Sequence, residues 1–343
     1  MKNIRLVILD SETVTRGDVS LDGITALADS SVFGYTPNEK VAEAIGDADA
    51  VICNKCLITQ EVFDKCPNLK YVGLFATGYN NVDLAAASRR GAVVCNVPAY
   101  STNAVAQHTF ALILDYYNKV AEYKKTVADG DWVNYKLFSY FYIPTTEIAG
   151  LTLGIIGYGD IGRKTAEIAR AFGMNVVTYT RSPQKVTDGT RVCTLEELLS
   201  ISDAVSLHCP LTDQTRYMIN GDAIGKMKPG VILINTGRGQ LIHTEALIDG
   251  LKEKKIGAAG LDVYEEEAGY FYEDTSDRIM DDDVLARLLS FNNVIVTSHQ
   301  GFFTREAVDN IARTTMQNIK DFSECRRLEN EVRAEPENAV GQL

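Results

Sequence analysis

Short apolar segments alternate with helical patterns along most of the chain. In the first hundred residues, segments rich in Val, Ile and Leu cover 4–9, 50–53, 71–75 and 92–95. Strands that alternate with helices are typical of parallel βαβ units, in which helices cover both faces of the sheet. The N-terminal part is therefore predicted to be an α/β domain with its own sheet.

A long helical pattern begins near Asn103, and a second series of strands follows it. Val105, Phe110 and Leu114 recur in this pattern at helical spacing, so we expect a helix that connects two domains. Later apolar segments predict strands at 153–157, 175–179, 204–208, 231–235, 258–262 and 294–297. This rhythm fits a doubly wound sheet. A last helical pattern, 302–322, is predicted to cross back to the first domain.

These patterns predict an α/β fold with two Rossmann-like, doubly wound domains. The first domain is expected to be discontinuous, formed by 1–102 and 302–343, with the second domain, 103–301, inserted in it. A chain of 343 residues is long enough for two domains of roughly 100 to 200 residues each. The last dozen residues, rich in Glu, Asn and Ala, are expected to fray.

Composition excludes several classes of partner. The chain has 34 Lys and Arg against 46 Asp and Glu, a net charge of -12, and no basic cluster that would bind nucleic acid. No window approaches roughly 18 uninterrupted apolar residues, and the first residues lack the apolar run of a signal peptide. We expect a cytoplasmic protein with neither a membrane nor a nucleic-acid partner.

The seven cysteines include one closely spaced pair, Cys53 and Cys56. A C-x-x-C pair can be a redox centre or half of a zinc site. No second C-x-x-C or histidine pair completes a ligand set, so we expect reduced, packed thiols and no metal.

The segment 123–146 is crowded with aromatic residues, among them Trp132, Phe138 and Phe141. Their spacing fits neither a helix nor a strand. We interpret the segment as a surface that packs against another subunit, with packing on the chain's own core as the alternative.

Gly157, Gly159 and Gly162 form a G-x-G-x-x-G motif between a predicted strand and a predicted helix. In this context the first glycine permits a tight turn, the second lets backbone approach a pyrophosphate, and the third lets helix and strand pack closely. The amides at the helix N-terminus then face the phosphate charge. A dinucleotide is predicted to bind here, with Tyr158, Asp160 and Ile161 in the same turn.

The end of the following strand bears on the choice between NAD and NADP. Sites specific for NAD usually place an acidic residue there to hold the ribose hydroxyls. This chain has Thr180, Arg181 and Ser182 instead. Arg181 is suited to a 2′-phosphate, so the sequence slightly favours NADP, with NAD left open.

Three charged or titratable residues follow predicted strands of the second series: Arg238, Glu267 and His299. The carboxyl ends of such strands are where open α/β sheets bind ligands, so the three side chains are expected to converge. Glu265 and Glu266 are the alternatives to Glu267. Among the other histidines, His208 is expected near the dinucleotide, His108 in a structural role inside its helix, and His243 at the surface.

The chain resembles the D-isomer-specific 2-hydroxyacid dehydrogenases over nearly its full length. The glycine motif and the Arg238, Glu267 and His299 segments carry the resemblance. Two more matching segments lie in the first domain and one in the second: Thr77-Gly78-Tyr79-Asn80-Asn81-Val82-Asp83, Asn96-Val97-Pro98-Ala99-Tyr100 and His208-Cys209-Pro210-Leu211-Thr212.

The resemblance implies a role for each matched residue. Arg238 would bind the substrate carboxylate and polarise the carbonyl, His299 would be the acid/base, and Glu267 would hydrogen-bond the histidine. Backbone amides near Thr77 and Gly78 would help to hold the carboxylate. A homodimer is also expected. Outside the glycine motif, the predicted cofactor contacts are Thr180, Arg181, His208, Cys209, Pro210, Thr215, Thr236, Gly237, Arg238, Asp262, His299 and Gly301.

These roles agree with the chemistry of ketone reduction. Hydride addition leaves an alkoxide, so an acid must deliver a proton, and histidine beside a carboxylate is suited to this near neutral pH. Arginine binds a planar carboxylate through two parallel hydrogen bonds.

The resemblance divides along the chain where the substrate is concerned. The first domain is similar to glycerate dehydrogenases, and the segment after Asp262 is similar to bacterial D-lactate dehydrogenases. Tyr100 and Phe302 are expected to line the substrate side chain, which favours pyruvate, with hydroxypyruvate or glyoxylate as the alternative. A formate- or phosphite-type dehydrogenase and a non-enzymatic NAD(H)-sensing module are the other hypotheses.

Overall fold

A computed structural model of the protein describes residues 4–267 and 281–334. Its strands are short and mostly apolar, as buried parallel strands are. In chain order they are β1 (Arg5–Ile8), β2 (Asp29–Val32), β3 (Ala50–Cys53), β4 (Tyr71–Leu74), β5 (Val93–Cys95), β6 (Thr152–Ile156), β7 (Asn175–Tyr179), β8 (Arg191–Val192), β9 (Ala204–Leu207), β10 (Val231–Asn235), β11 (Ile256–Leu261), β12 (Val294–Val296) and β13 (Glu331–Val332).

Helices follow most of the strands, and several begin at a side chain that caps the first turn. Asp83, Thr194 and Thr304 are examples of such caps. The helices are α1 (Asp22–Thr25), α2 (Val41–Ile45), α3 (Gln60–Lys65), α4 (Leu84–Arg90), α5 (Thr102–Asn118), α6 (Val120–Ala128), α7 (Asp160–Ala171), α8 (Leu195–Ile201), α9 (Gly221–Lys226), α10 (Thr244–Lys252), α11 (Asp283–Leu289) and α12 (Arg305–Ser323).

The described residues divide into two compact units. The first contains 4–101 and 303–334, and the second contains 102–267 and 281–302. The first unit has a six-stranded sheet in the order β13-β5-β4-β3-β1-β2, parallel except for β13. Its strands β3 and β4 are buried along their whole length.

The second unit has a seven-stranded parallel sheet in the order β12-β11-β10-β9-β6-β7-β8. From β6 the chain continues to β7 on one side, whereas β9 lies on the other side of β6. This reversal leaves a crevice at the carboxyl ends of β6 and β9, where doubly wound sheets bind their ligands.

The predicted fold is confirmed: both units are doubly wound α/β structures, and the second is inserted in the first. Three strands were not predicted, namely β2, β8 and β13. All three lie at sheet edges and have two to four residues; β2 and β8 are mostly exposed, and β13 is half-buried. Such strands are stabilised by pairing with a neighbour and carry no continuous apolar signal.

The helix after the glycine motif buries one face, which includes Thr165 and Ala169. Phe172, just past its end, is 43% exposed and stacks on Phe110 at 5.5 Å between ring centroids. The helix ends at Ala171, and Gly173 follows with a φ of +77°. The predicted fraying of the last dozen residues falls almost entirely outside the described residues.

Gly154 in β6 tests how tightly the second unit is packed. A Cβ there would collide with the Ser202 hydroxyl and lie 2.6 Å from Leu198 Cδ2. We expect Gly154→Ala to lower the free energy of unfolding by about 1 to 3 kcal/mol, the usual cost of overpacking a core. Chemical denaturation measures the change. Gly225→Ala is the matched control, because Gly225 lies in helix α9 with nothing within 4 Å of the added methyl, and that variant should be no less stable than the parent. Equal stability of both variants would contradict the described packing.

Candidate active site

The loop after β10 carries Arg238 and is fixed by its own hydrogen bonds. The Asn235 side chain, 1% exposed, donates from Nδ2 to the Arg238 carbonyl at 2.9 Å and accepts from the Gly237 amide at 3.0 Å. A buried amide that satisfies both of its polar atoms on the loop backbone holds the loop in one shape. The position of Arg238 at the carboxyl end of β10 is therefore fixed.

Gly239, the next residue, packs directly against the segment that carries Glu267. A Cβ at Gly239 would overlap the carbonyl of Tyr264 and lie 2.6 Å from the amide of Glu265. Only glycine allows two backbones to approach so closely. The Arg238 loop and the Glu267 segment are thus neighbours in contact.

Glu267 and His299 form a hydrogen-bonded pair. His299 Nδ1 lies 3.1 Å from Glu267 Oε1, and both side chains are about one-fifth exposed, at 20% and 22%. Because an ionised carboxylate only accepts, the proton of this bond is on Nδ1. The other ring nitrogen, Nε2, is then the atom that can exchange a proton with a substrate.

The two alternative carboxylates are not paired with this histidine. Glu265 Oε2 accepts from the Thr244 amide at 2.8 Å, and the hydrogen bonds from Thr244 and Tyr217 lower its pKa against the effect of burial, which raises it. Glu267 Oε2 accepts from the Tyr264 amide at 3.1 Å, which orients the carboxylate towards His299.

Asp262 holds the backbone of the His299 loop. Its carboxylate, 3% exposed, accepts from the Gln300 amide at 2.9 Å and the Gly301 amide at 2.8 Å, and its carbonyl accepts from the His299 amide at 2.8 Å. His299 has a φ of +54°, a left-handed conformation that is uncommon for a residue with a side chain. Burial alone would raise the pKa of Asp262, but the hydrogen bonds it accepts outweigh burial and lower it.

The glycine motif lies at the crevice of the second sheet. A Cβ at Gly157 would lie 2.5 Å from the Cys209 amide, and one at Gly162 would overlap the Gly157 carbonyl. Gly159, in contrast, has nothing within 4 Å of its added Cβ. The outer two glycines therefore permit close packing, and the middle one faces open space, as a phosphate-binding turn requires.

Comparison with known proteins agrees with this arrangement. Residues 110–301 match the model of the "D-isomer specific 2-hydroxyacid dehydrogenase, NAD binding domain". A hydroxypyruvate reductase from Blautia hydrogenotrophica is 37% identical over 324 residues, which are 93% of this chain and 97% of the relative. A D-lactate dehydrogenase from Escherichia coli is 35% identical over 309 residues, 88% of this chain and 91% of the relative. The structure of a pyruvate reductase from Chlamydomonas reinhardtii superposes with a TM-score of 0.85 at 32% identity, covering 96% of this chain and 98% of the other.

The chain belongs to the D-isomer-specific 2-hydroxyacid dehydrogenase family. It is an NAD(P)-dependent oxidoreductase that acts on a CH–OH group. The family predicted from the sequence is confirmed, and the hypothesis of a non-enzymatic NAD(H) sensor is not supported.

The Arg238 guanidinium of the dehydrogenase is half-buried and bonds within its own loop. It donates from Nη1 to the Gly237 carbonyl at 2.8 Å within its own loop. No carboxylate within residues 4–267 and 281–334 forms an ion pair with it, although the chain is strongly acidic. A half-buried guanidinium with no protein carboxylate beside it is well suited to a carboxylate ligand.

Several residues predicted to contact the cofactor form side-chain hydrogen bonds with other residues of the protein. The Tyr158 hydroxyl bonds to Asp188 at 2.7 Å and to Thr190 at 2.5 Å. Burial would raise the pKa of Asp188, but its bonds with Tyr158, Thr190 and Arg170 hold it well below the usual range. These side chains fasten the loop after β7 to helix α7, so Tyr158 contributes to the crevice by shaping that loop.

Two other residues predicted to contact the cofactor, Thr215 and Thr180, also form hydrogen bonds within their own segments. Thr215 donates to the Pro210 carbonyl at 2.7 Å and accepts from the Thr212 amide at 2.8 Å, which fixes the segment after β9. Thr180 accepts from the Ser182 amide at 3.2 Å, and Arg181 is exposed.

The remaining histidines are poor candidates for the acid/base. His208 bonds from Nε2 to the Ser206 hydroxyl at 2.9 Å, and burial lowers its pKa to about 4, so it is neutral near pH 7. His243 was expected at the surface, but it is half-buried, caps helix α10 by accepting from the Ala246 amide, and packs edge-on against Tyr217. Its capping role explains this difference.

The predicted substrate-binding residues are divided between the two units. Thr77 and Gly78 follow β4, and Thr77 donates to the Val97 carbonyl at 2.8 Å, which joins the loops after β4 and β5 within the first unit. Tyr100 follows β5, and its carbonyl accepts from Asn310 at 3.4 Å. Phe302 belongs to the second unit, at the end of the His299 loop.

The Cys53 and Cys56 pair is packed inside the first unit. Both residues are buried, and Cys53 Sγ donates to the Cys56 carbonyl at 3.8 Å. Burial raises the pKa of both thiols, which makes them unreactive at neutral pH. Within the described ranges, no group of His, Cys, Asp and Glu residues is arranged to hold a metal, and no helix is long and apolar enough to cross a membrane.

Helix α5 contributes two polar residues whose contacts with the loops of this site were not predicted. His108 was assigned a structural role, and Thr109 was not considered, yet both contact the loops that carry the charged groups: His108 lies 3.0 Å from Thr297, and Thr109 lies 3.1 Å from Thr236. The sequence did contain a signal for these contacts, because two adjacent polar residues interrupt an otherwise apolar part of the helix.

Proposed function

We propose that the dehydrogenase reduces a small 2-keto acid, preferably pyruvate, to the D-2-hydroxy acid. The observation that carries the proposal is the His299–Glu267 pair on segments that adjoin the Arg238 loop. This set combines a proton donor oriented by a carboxylate with a cation that has no carboxylate partner among the described residues. A small anion that gains a proton is the ligand that such a set fits.

Arg238 binds the substrate carboxylate in this proposal. The guanidinium makes two parallel hydrogen bonds to the carboxylate oxygens and keeps its charge throughout the reaction. Since Asn235 and Gly239 fix the loop on both sides of Arg238, the keto group is held in one orientation. We assign the backbone amides near Thr77 and Gly78 to the same carboxylate.

His299 transfers the proton. In the direction of reduction, the imidazolium donates from Nε2 to the carbonyl oxygen as that oxygen becomes an alkoxide. In oxidation, the neutral ring accepts the hydroxyl proton at the same atom. Glu267 remains bonded to Nδ1 and stabilises the charged ring in both directions.

The glycine turn fits a dinucleotide, because Gly159 leaves open space in front of the first amides of α7. When bound, the nicotinamide of the cofactor supplies or accepts the hydride. We assign 103–301 to dinucleotide binding and 1–102 with 302–343 to substrate binding. Thr236, Asp262 and Gly301 are assigned to the nicotinamide side, and His208 and Cys209 line the crevice opposite the glycine turn.

We prefer pyruvate because Tyr100 and Phe302, which the family resemblance assigns to the substrate side chain, are aromatic residues suited to a methyl group. The similarity to the pyruvate reductase and the D-lactate dehydrogenase supports this choice. The alternative is hydroxypyruvate or glyoxylate, favoured by the similarity to a hydroxypyruvate reductase and by the hydroxyl of Tyr100.

Replacing His299 tests the proposed acid/base. We expect His299→Ala to lower kcat for pyruvate reduction by about 10²- to 10⁴-fold, because the proton donor is lost, and to leave dinucleotide affinity nearly unchanged. Steady-state absorbance at 340 nm and fluorescence titration of the reduced cofactor measure the two effects. His243→Asn, which keeps a capping side chain on α10, is the control and should retain activity. Equal loss of turnover and of cofactor binding in His299→Ala would contradict the assignment.

The same assay with a series of keto acids tests the substrate. Pyruvate should give a higher kcat/KM than hydroxypyruvate, glyoxylate and a bulkier 2-keto acid, and chiral chromatography should identify the product as the D isomer. A higher kcat/KM for hydroxypyruvate would select the alternative. An L product, or turnover of formate alone, would refute the proposed reaction.

Arg181 tests the choice of cofactor. We propose NADP as the slightly preferred cofactor, with Arg181 paired to the 2′-phosphate. Arg181→Ser should then raise KM for NADPH by about tenfold and leave KM for NADH within about twofold, since only NADPH carries that phosphate. Lys252→Ser removes a distant exposed cation and is the charge control. Equal changes for both cofactors would show that Arg181 does not read the phosphate.

We propose a homodimer formed through the aromatic segment of the second unit. Phe138 is 94% exposed and Phe141 is 77% exposed, a large apolar surface for an isolated chain. Light scattering should give twice the mass of one chain, and the double change Phe138→Ser and Phe141→Ser should shift the protein towards the monomer. A monomeric mass for the parent would refute the dimer.

A further inference from the structure

Helix α5 carries two adjacent polar side chains on a face that is otherwise apolar. Thr109 is fully buried, and the His108 side chain is 17% exposed. Their buried neighbours on the helix are Ala104, Val105, Ala106, Phe110, Leu112 and Ile113. Buried polar groups are retained where their hydrogen bonds define a geometry, so the partners of this pair are informative.

His108 begins a chain of hydrogen bonds that ends on the backbone around His299. His108 Nε2 lies 3.0 Å from Thr297 Oγ1, which donates to Asp262 Oδ1 at 2.6 Å. A threonine hydroxyl has one proton, and here it goes to the carboxylate. Thr297 therefore accepts from His108, and Nε2 must carry a hydrogen.

Asp262, in turn, is hydrogen-bonded to the backbone of the loop that carries His299. It accepts from the amides of Gln300 and Gly301, and its carbonyl accepts from the amide of His299. The His108 ring also packs on this loop, because a Cβ at Gly301 would lie 3.1 Å from His108 Cδ2 and 2.7 Å from Asp262 Oδ2. The left-handed backbone of His299 is thus held by contacts that His108 completes.

Thr109 has the corresponding position beside the other loop. It donates to the Val105 carbonyl at 2.9 Å, which leaves it to accept from the Thr236 hydroxyl at 3.1 Å. Thr236 precedes Arg238 by two residues, as Thr297 precedes His299 by two. One turn of α5 therefore contacts both loops at matching points.

A close approach between α5 and the sheet makes these contacts possible. A Cβ at Gly260 in β11 would lie 2.9 Å from Leu112 Cβ. A larger residue at Gly260 would push the helix away from the strand ends. The helix then would not reach the two threonines.

We propose that α5 positions the two loops separately: His108 sets the acid/base loop through Thr297 and Asp262, and Thr109 sets the Arg238 loop through Thr236. Neither side chain touches the reacting atoms, so both are positioning residues. The inference rests on the proposed roles of His299 and Arg238. Under this proposal His108 affects mainly kcat and Thr109 affects mainly KM, although the two residues are adjacent on one helix.

The test compares His108→Leu, His108→Gln and Thr109→Val in the full chain with pyruvate. His108→Leu removes the N–H donor, and we expect kcat to fall about tenfold or more while KM for pyruvate stays within about threefold, since a small displacement of a catalytic group costs rate. His108→Gln keeps an N–H at similar reach and should return kcat to within about threefold of the parent.

Thr109→Val should instead raise KM for pyruvate by about threefold or more with a smaller change in kcat. Gln107→Leu, an exposed polar-to-apolar change on the same helix, is the matched control.

The outcomes separate this inference from the proposed function. The inference is overturned if His108→Leu has the kcat of the parent, if His108→Gln is as impaired as His108→Leu, or if Thr109→Val lowers kcat without raising KM. In each of these cases a parent enzyme that depends on His299 still supports the proposed function. A parent that turns over no keto acid overturns both. Circular dichroism and the melting temperature identify any variant that fails to fold, and the Gln variant then decides.

Discussion

The active site depends on one buried carboxylate. Burial alone would raise the pKa of Asp262, but His108, the Thr297 hydroxyl and the backbone amides that follow His299 favour the ionised form and lower it. An unpaired buried carboxylate would be destabilising, and here the loop and the His108 side chain of α5 together supply its partners. The conformation of the loop and the charge of Asp262 therefore require each other, and the imidazole is oriented as a result.

The charged side chains near this carboxylate each have a definite hydrogen-bond partner. Glu267 is committed to His299 and Glu265 to the Thr244 amide, so neither neutralises Arg238. Arg238 is therefore left without a carboxylate partner among the described residues, in a chain whose net charge is -12. In the proposed reaction this arrangement supplies one location for the substrate anion and one donor of a proton, while the hydride comes from the bound cofactor.

Most of the fold could be predicted from the sequence, because buried parallel strands are continuous apolar runs and the glycine motif fixes one βαβ unit. The edge strands β2, β8 and β13 could not, since their stability comes from a neighbouring strand and leaves no periodic signal. The charged residues at strand ends were found for the same reason as the sheet: parallel strands place their carboxyl ends together. The choice of Glu267 over its neighbours came from the family resemblance and not from the strand pattern, and the contacts of His108 were not predicted at all. Both depend on how two loops and a helix pack, at a sequence separation of up to 189 residues.

The contact at Gly239 has a consequence for how such an enzyme can diversify. Since the Arg238 loop and the Tyr264–Glu265 backbone leave no space between them, neither can change shape unless the other changes with it. A change in the backbone of one segment must therefore be accompanied by a change in the other. Side-chain substitutions that leave both backbones in place are free of this constraint, so the two segments can vary in sequence while their shapes stay matched.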